Sequence, residues 1–545
     1  MGAEERPPAK AGGGVEDAEK QILGTGTYRS LGEQKLSPQE ERFERARRTS
    51  GLFLAPLVII VFLLLPLDIS TTQQTLAAIL LGVVTLWITE AVPIPIGGLI
   101  GIALIVILGV GDADTVLAPF GSSTVFTFIG AFIIAQAMLR HGLARRFAFR
   151  MLAIPGVSKT TTRTVIAFGL ITALLSAFVS NTATVAMLLP TAVAILGTLV
   201  NLMNKQRSGD DGDDGEPFNP LKLRVGVALM LMLAYGASVG GLLTPVGSPP
   251  NLIGREAIEN ATGERISFFE WMLSALPVCA VMFVILAAVL LLLNKPEVKR
   301  IEGIDEYVAE ERRKLGAMSR KEKNTLIAFG TAVTLWIAPG IVGIIAGDDS
   351  KAYDEVVTHL DEGIVAILAA SLLFLLPSNW PKREFTLTWS EAKEIDWGTI
   401  VLFGSGVIFG TLLADTGLAE TLGTSGAEAF GVSSTVSITI FAVILSILVS
   451  ETTSNTASAS IIIPIVIPVA VAAGVDPFIP ALAGTFACSF GFMLPVSTPQ
   501  NAIVYGSGVV PITKMIKNGA IFDVLGGIAI VVGVPLMVNL LGIGG

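Results

Sequence analysis

The strongest constraint on this chain is a small-polar cluster lodged inside apolar sequence, and the chain carries it twice. Ser454-Asn455-Thr456 lies between the apolar runs 441–449 and 461–471, and the run behind it meets a proline at Pro464. Ser180-Asn181-Thr182 has the same frame 274 positions earlier and runs to Pro190. Ser176 precedes the first triplet by four residues, as Ser450 precedes the second. Each triplet joins two apolar segments that are short for full spans, so each predicts a re-entrant hairpin with a polar tip. Non-helical backbone survives at membrane depth only where protein or a water-filled cavity covers it. A single Ser-Asn-Thr reads as a turn or a helix cap. Two copies at the same distance from a proline mark a binding-site element.

Composition makes the membrane reading general. Of 545 residues, 52% are hydrophobic and 15% charged, with mean hydropathy +0.72. Many apolar runs reach the roughly 20 residues that cross a bilayer. The fold class expected is an all-α polytopic membrane protein of about 11 transmembrane helices. The net charge of −9 sits in loops and tail and points to no nucleic acid. Cys279 and Cys488 lie in apolar segments and read as packed small residues. His141 and His359 are far apart, and no Cys/His cluster suggests zinc. Without a nucleophile–base pair or nucleotide loop, the chain does not read as an enzyme. The glycines of Phe403-Gly404-Ser405-Gly406 read as helix-packing residues.

The order of segments sets the domain plan. Residues 1–49 are charged and read as a disordered or surface-lying cytoplasmic tail, and 50–72 hold a leading span. A first repeat covers 73–294, with a hairpin at 163–203 and a broken helix at 223–265. A linker at 295–323 carries nine Lys/Arg, which places it in the cytoplasm. A second repeat covers 324–545, with a hairpin at 434–472 and a broken helix at 477–510. The basic, amphipathic stretch 140–150 reads as an interfacial helix on the inner surface. The N-terminus then lies inside and the C-terminus outside, in the inner membrane of a prokaryote.

Four sequence matches relate the repeats. Val84-Thr85-Leu86-Trp87-Ile88 recurs as Val333-Thr334-Leu335-Trp336-Ile337, and Gly142-Leu143-Ala144 as Gly417-Leu418-Ala419. The third match is the pair of triplets. The fourth is Pro245, Pro249 and Asn251, which recur 250 positions later as Pro495, Pro499 and Asn501. Five spans per repeat is an odd number, so the second repeat must sit inverted, with a site near the midplane between the two.

Broken helices provide the chemistry. A break leaves unpaired carbonyls on one side and unpaired amides on the other. Carbonyls with Ser, Thr and Asn oxygens can replace the water around a small hard cation, and helix N-termini attract carboxylates. Moving a dicarboxylate into a cell at about −100 mV opposes roughly 4.6 kcal/mol, which two co-transported cations cancel. Of the acids noted within apolar segments, Glu451 stands beside the second triplet, and Glu90 reads more simply as an interfacial acid.

At these motifs the chain resembles the divalent anion/sodium symporter family, the sodium-coupled dicarboxylate, citrate and sulfate transporters. The triplets carry the resemblance together with 247–251 and 488–504, over about 51–541. It implies a homodimer in the lipid bilayer with elevator-type alternating access. It implies sodium (Na+) bound by Ser176, Ser180, Asn181 and Gly247 at one tip, and by Ser450, Asn455 and Ser497 at the other. The dicarboxylate substrate would meet Ser180, Asn181, Thr182, Ser454, Asn455, Thr456, Thr498 and Pro499. Gln500 departs from the family pattern, where many members have a second proline, and Ser497 stands where alanine is common. The resulting expectation is sodium-coupled symport of C4-dicarboxylates such as succinate, malate and fumarate. A sodium-independent di- or tricarboxylate exchanger of the same family is the nearest alternative; a sulfate transporter or an anion channel is more distant.

Overall fold

The computed structural model describes residues 38–157, 160–210, 220–299, 304–347 and 350–543. Within them the chain is almost wholly helical, and the one pair of strands is a short antiparallel ribbon, Pro377–Asn379 with Glu384–Phe385. Eleven helices among the described residues are long and apolar enough to cross a membrane, or twelve if the bent pair Lys351–His359 and Glu362–Leu375 forms one span. The chain is therefore an integral membrane protein. The count equals the sequence expectation with a different membership. Asn181–Val200, Thr435–Thr452 and Asn455–Ala472 are long enough although they are hairpin arms, whereas Ile94–Ile107 is too short.

Three segments differ from the sequence reading. The leading helix runs Pro38–Leu64, so it begins within the stretch read as tail; residues 1–37 lie outside the described residues. Arg47 and Arg48 on that helix pair with Glu90 at 3.1 and 3.5 Å. Glu90 is thus an ion-pair partner at a helix end. The second difference is in the basic stretch 140–150, which forms the helix Leu143–Leu152. One of its arginines is covered by protein: Arg146 is buried against Glu322 at 2.6 Å, while Arg145, exposed, pairs with Glu311 at 2.8 Å. A buried guanidinium needs a carboxylate and carbonyls around it, and the carbonyls of Leu315 and Gly316 complete the set. Third, Glu311 belongs to a helix, Ile304–Leu315, inside the segment read as a basic linker.

The recurring sequence motifs become recurring structural devices. Trp87 Nε1 donates to the Ile94 carbonyl at 2.9 Å, and Trp336 Nε1 to the Glu362 carbonyl at 3.0 Å. Each acceptor is the first residue of a later helix, Ile94–Ile107 next after that of Trp87 and Glu362–Leu375 second after that of Trp336. Gly142 and Gly417 take φ of 75° and 72°, a left-handed conformation that glycine adopts at no steric cost, and each stands just before a short helix.

Two apolar cores divide the molecule. The smaller joins the helices of 71–107 to Trp397–Asp415 and includes Trp87, Ile105 and Phe409. The larger holds both hairpins and both broken helices, and extends to the packed pair Ser123–Arg140 and Glu362–Leu375. In a bilayer, close backbone approach supplies much of helix association. At Gly130 that approach leaves no room: a Cβ there would stand 2.5 Å from the Ala366 carbonyl carbon. Gly130→Ala should cost about 1–3 kcal/mol by overpacking and lower the melting temperature of the detergent-purified protein. Gly330→Ala, which opens onto free space, is the control and should not lower it. An unchanged melting temperature in Gly130→Ala would contradict the packing.

Candidate functional site

The two hairpin tips are built alike. The first arms end at Ser176 and Thr452, and the second arms start at Asn181 and Asn455. Ser180 Oγ accepts from the Ala183 amide at 3.3 Å, and Ser454 Oγ from the Ala457 amide at 3.2 Å. The first residue of each triplet is therefore a helix N-cap. The asparagine oxygens turn back toward the first arms: Ser176 Oγ donates to Asn181 Oδ1 at 2.6 Å, and Ser450 Oγ to Asn455 Oδ1 at 2.9 Å. All four residues are buried. The second tip is also tied to the broken helix behind it, with Asn455 Nδ2 donating to the Ser489 carbonyl at 3.4 Å.

The broken helices share a second device. The first runs as Arg224–Gly241 and Pro249–Thr262, the second as Phe478–Ala487 and Pro499–Gly506. Proline at each restart removes an amide donor and stops a continuous helix. Carbonyls are stranded in both breaks, and one asparagine amide gathers two of them in each. Asn251 Nδ2 donates to the carbonyls of Gly241 and Thr244, both at 2.8 Å. Asn501 Nδ2 donates to those of Gly491 and Leu494 at 2.7 and 3.1 Å. The partners match across the repeats at the 250-residue offset of the sequence motif.

Tips and breaks converge on one cavity of about 570 Å³. Ser180, Asn181, Thr182, Gly247, Ser454, Asn455, Thr456, Ser497, Thr498 and Pro499 all line it. Ser176 and Ser450 stand behind this wall, each bonded to its asparagine. The opposite wall is largely apolar, from Ile94, Pro95, Phe132, Ala135, Leu139 and Leu402, with Gln136 as a polar exception. The cavity has no Arg, Lys or His in its lining. Six helix N-termini reach it instead: those at Asn181, Pro249, Asn455 and Pro499 on the tips and breaks, and those at Ile94 and Trp397 on the facing side.

Two acids stand at its edge, both already occupied. Asp396 caps Trp397–Asp415, accepting from the Thr399 amide at 3.1 Å. Glu394 is bonded by Arg140 at 3.2 Å and Gln136 at 3.3 Å. Arg140 also holds Glu391 at 2.8 Å. Burial pushes the Glu391 carboxyl up, but bonds from Thr388 and Arg140 outweigh it and keep the group below its ordinary value.

The oxygens at the first tip suit a small hard cation. A Cβ on Gly247 would stand 2.6 Å from the Gly241 carbonyl oxygen and 2.8 Å from that of Ala177. Glycine thus leaves open a cradle that a side chain would fill. Around it are neutral oxygens from hydroxyl, amide and main chain, the ligand type that hard cations select. At the second tip the Ser497 hydroxyl is turned away, donating to Glu451 at 2.9 Å. The main-chain carbonyl of Ser497 has no such bond to Glu451 and is the freer of the two oxygens for a cation.

A family model for the sodium:sulfate symporter transmembrane region matches residues 47–543. The chain belongs to the divalent anion:sodium symporter family. It is 34% identical over 492 residues to the sodium-dependent dicarboxylate transporter SdcS of Staphylococcus saprophyticus, covering 90% of this chain and 91% of that protein. The SdcS protein of Staphylococcus aureus strain NCTC 8325 is 32% identical over 485 residues, covering 88% and 89%. Among solved structures, the YdaH transporter of Alcanivorax borkumensis aligns with a TM-score of 0.45 and 15% identity, over 80% of this chain and 90% of that one.

The structure of this divalent anion:sodium symporter adds residues that the sequence reading passed over. Ser248, at the N-cap of Pro249–Thr262, lines the cavity and makes no side-chain cap bond. Its signal was present, because the 250-residue register sets it opposite Thr498. Gln500 has a structural explanation: its amide donates to Ser238 Oγ at 3.0 Å and joins one broken helix to the other. Asp523 is a further acid buried within an apolar segment, beside Glu451. Its signal was its place well inside the last span, Ile512–Leu541.

Asn251→Ala and Asn501→Ala should each strand two buried carbonyls. An unsatisfied buried group costs about 1–3 kcal/mol, so both variants should unfold earlier in detergent, by similar amounts. A variant that keeps the wild-type melting temperature would show that its amide does not hold the break.

Proposed function

We propose that the chain is a sodium-coupled symporter of C4-dicarboxylates, working by an elevator movement. The observation that supports this most is the single cavity where the four helix N-termini of the tips and breaks meet two oxygen-rich tips without a basic side chain. Each N-terminus carries roughly half a positive charge, and those of the tips and breaks together present a positive field to a dianion. Ser180, Thr182, Ser454, Thr456 and Thr498 bring hydroxyls, and Asn181 and Asn455 bring amides. Ser248 joins this set. Substrate carboxylates lie at Asn181, Asn455 and Pro499, where the helices begin.

Sodium enters as co-substrate. Ser176, Ser180, Asn181 and Gly247 hold one ion, and Ser450, Asn455 and the Ser497 carbonyl hold the other. Each ion then stands beside a helix N-terminus that faces the substrate, so cation and dianion strengthen one another's binding. The relatives named as sodium-dependent dicarboxylate transporters support the same coupling.

The movement follows from the two unlike walls. Hairpins and broken helices form a body that slides along the apolar wall, and its movement breaks the bonds from Arg255 to Glu362 and from Thr124 to Glu256. The cavity is lined by 132–139, near the Arg140 end of Ser123–Arg140. Basic residues put that end inside, so this state faces the cytoplasm. The rest of the proposal is a homodimer in a prokaryotic inner membrane, built from inverted repeats at 73–294 and 324–545, with the N-terminus inside and the C-terminus outside.

Uptake of labelled succinate into proteoliposomes should require sodium and stop when choline replaces it. Uptake that persists in choline would favour the sodium-independent exchanger. Thr456→Ala and Thr498→Ala should each raise the half-saturating succinate concentration by about 10- to 150-fold, the effect of a lost hydrogen bond to a charged group. Wild-type constants in both would remove these residues from the substrate site.

The repeats should also be inverted across the membrane. Thr162 and Ser433 are exposed at the starts of the two hairpins. Single cysteines there should react with an impermeant thiol reagent from the inside and the outside, respectively. Labelling of both from one face would rule out inversion.

A further inference from the structure

The helices Ser123–Arg140 and Pro249–Thr262 each line two cavities. The cavity of about 570 Å³ takes the Arg140 end of the first and the start of the second. A polar cavity of about 340 Å³ takes their other parts, at Ser123, Thr124, Arg255, Glu256 and Glu259, with Glu362 beside them. Basic residues put the Arg140 end inside, so this second cavity lies toward the outside.

At the second cavity the body of hairpins and broken helices is tied to the helices it slides along. Arg255, on the first broken helix, donates through Nη1 and Nη2 to Glu362 at 2.7 and 3.2 Å. Glu362 begins Glu362–Leu375, the helix packed against Gly130. It also accepts from the Phe268 amide at 2.8 Å, at the start of Phe268–Leu293. Next to this pair the Thr124 hydroxyl donates to Glu256. The receiving side is braced: Ser123 Oγ donates to Asp361 at 2.5 Å, and Trp336 Nε1 to the Glu362 carbonyl at 3.0 Å. The Arg255 and Glu362 side chains are 13% and 16% exposed. A two-pronged pair with that little water is stronger than a surface ion pair.

The contact can open without stranding a charge on the moving side. Arg255 Nε donates to Glu259 at 2.9 Å, one turn along the same helix, and the two travel together. Glu362 stays behind in the polar cavity, where hydroxyls and water can take its oxygens. An opened buried pair is costly when one partner is left unpaired in an apolar setting, and neither partner is left so here.

We propose that Arg255–Glu362, with Thr124–Glu256 beside it, is an outer latch that holds the transporter in its inward-facing state and sets how often the site turns outward. The inference rests on the elevator reading. Contacts made in one state alone shift the equilibrium toward that state by their differential strength. Thr124 and Glu362 are positioning residues in this sense, since neither lines the substrate cavity.

The test follows which face a cavity residue meets. Ala183 lines the substrate cavity on the first hairpin, and Ala183→Cys is made with Cys279→Ala and Cys488→Ala in the full-length protein. The reconstituted protein, in sodium without substrate, is treated with an impermeant thiol reagent from one face or the other. Without further change the cysteine should react mainly from the inside. Adding Thr124→Val or Glu362→Gln should raise the outside-to-inside ratio of labelling rates about tenfold or more, the effect of a lost hydrogen bond to a charged group. Thr124→Ser keeps the hydroxyl and should keep the original ratio. Glu259→Gln removes a carboxylate that stays with Arg255 in both states, so it should not raise the ratio, whereas general loosening of the fold would. An unchanged ratio in Thr124→Val overturns the latch, and that variant decides the matter even if Glu362→Gln does not fold. An equal rise in Glu259→Gln and Glu362→Gln overturns it as well. In both cases the elevator reading stands if succinate still shifts labelling between the faces. Labelling from one face that neither succinate nor any variant changes overturns the elevator reading and the inference with it.

Discussion

The structure depends on how backbone polar groups are satisfied where the helices stop inside the membrane. Every break strands carbonyls and amides in a region with no bulk water, at a cost of several kcal/mol for each unsatisfied group. The chain resolves this internally at the stranded carbonyls and sets the other ends at the cavity. Asn251 and Asn501 take up stranded carbonyls with their amides. The N-terminal ends of the second halves stand at the cavity wall, where Pro249, Pro250 and Pro499 carry no amide hydrogen and the amides of Asn251 and Asn501 already meet Ser248 and Thr498. Stability and recognition are thus two sides of the same break.

That division explains how a dianion and cations can be handled with almost no charged side chains at the centre. A basic residue would hold a dicarboxylate whether or not sodium was present, and would leave a buried charge when the cavity emptied. Helix dipoles and hydroxyls cost less to leave unoccupied, and bound sodium supplies the remaining positive field. Affinity for the substrate then depends on the ions, which is what coupling requires. The exception is Glu451, buried behind the second tip, where the matching position of the first repeat is Ala177.

Much of this was legible in the sequence because repetition is a local signal. The Ser-Asn-Thr triplets, the Pro-x-x-x-Pro-x-Asn register and the tryptophans of the Val-Thr-Leu-Trp-Ile copies each appear twice at regular spacing. Each copy turned out to do one job twice, as Trp87 and Trp336 do at the start of a following helix. What was not legible has one partner in each repeat or far along the chain. Arg146 looked like an interfacial cation until the fold set it against Glu322. Gln500 looked like a departure from the family pattern until the fold gave it Ser238. Asp523 looked like one residue in a long apolar run until Glu451 stood beside it.

By itself, the sequence determined the membrane class, the two hairpins, the two breaks and the small polar residues at the tips. These depend on hydropathy, proline and small polar residues at short range, and short-range patterns survive in one dimension. Tertiary structure alone decided that both tips and both breaks share a single cavity, which wall of it is apolar, and which acids are neutralised by a partner. Those depend on the fold bringing residues such as Asn181 and Thr498, hundreds of positions apart, to one cavity. No local preference encodes such a meeting; packing of the whole chain produces it.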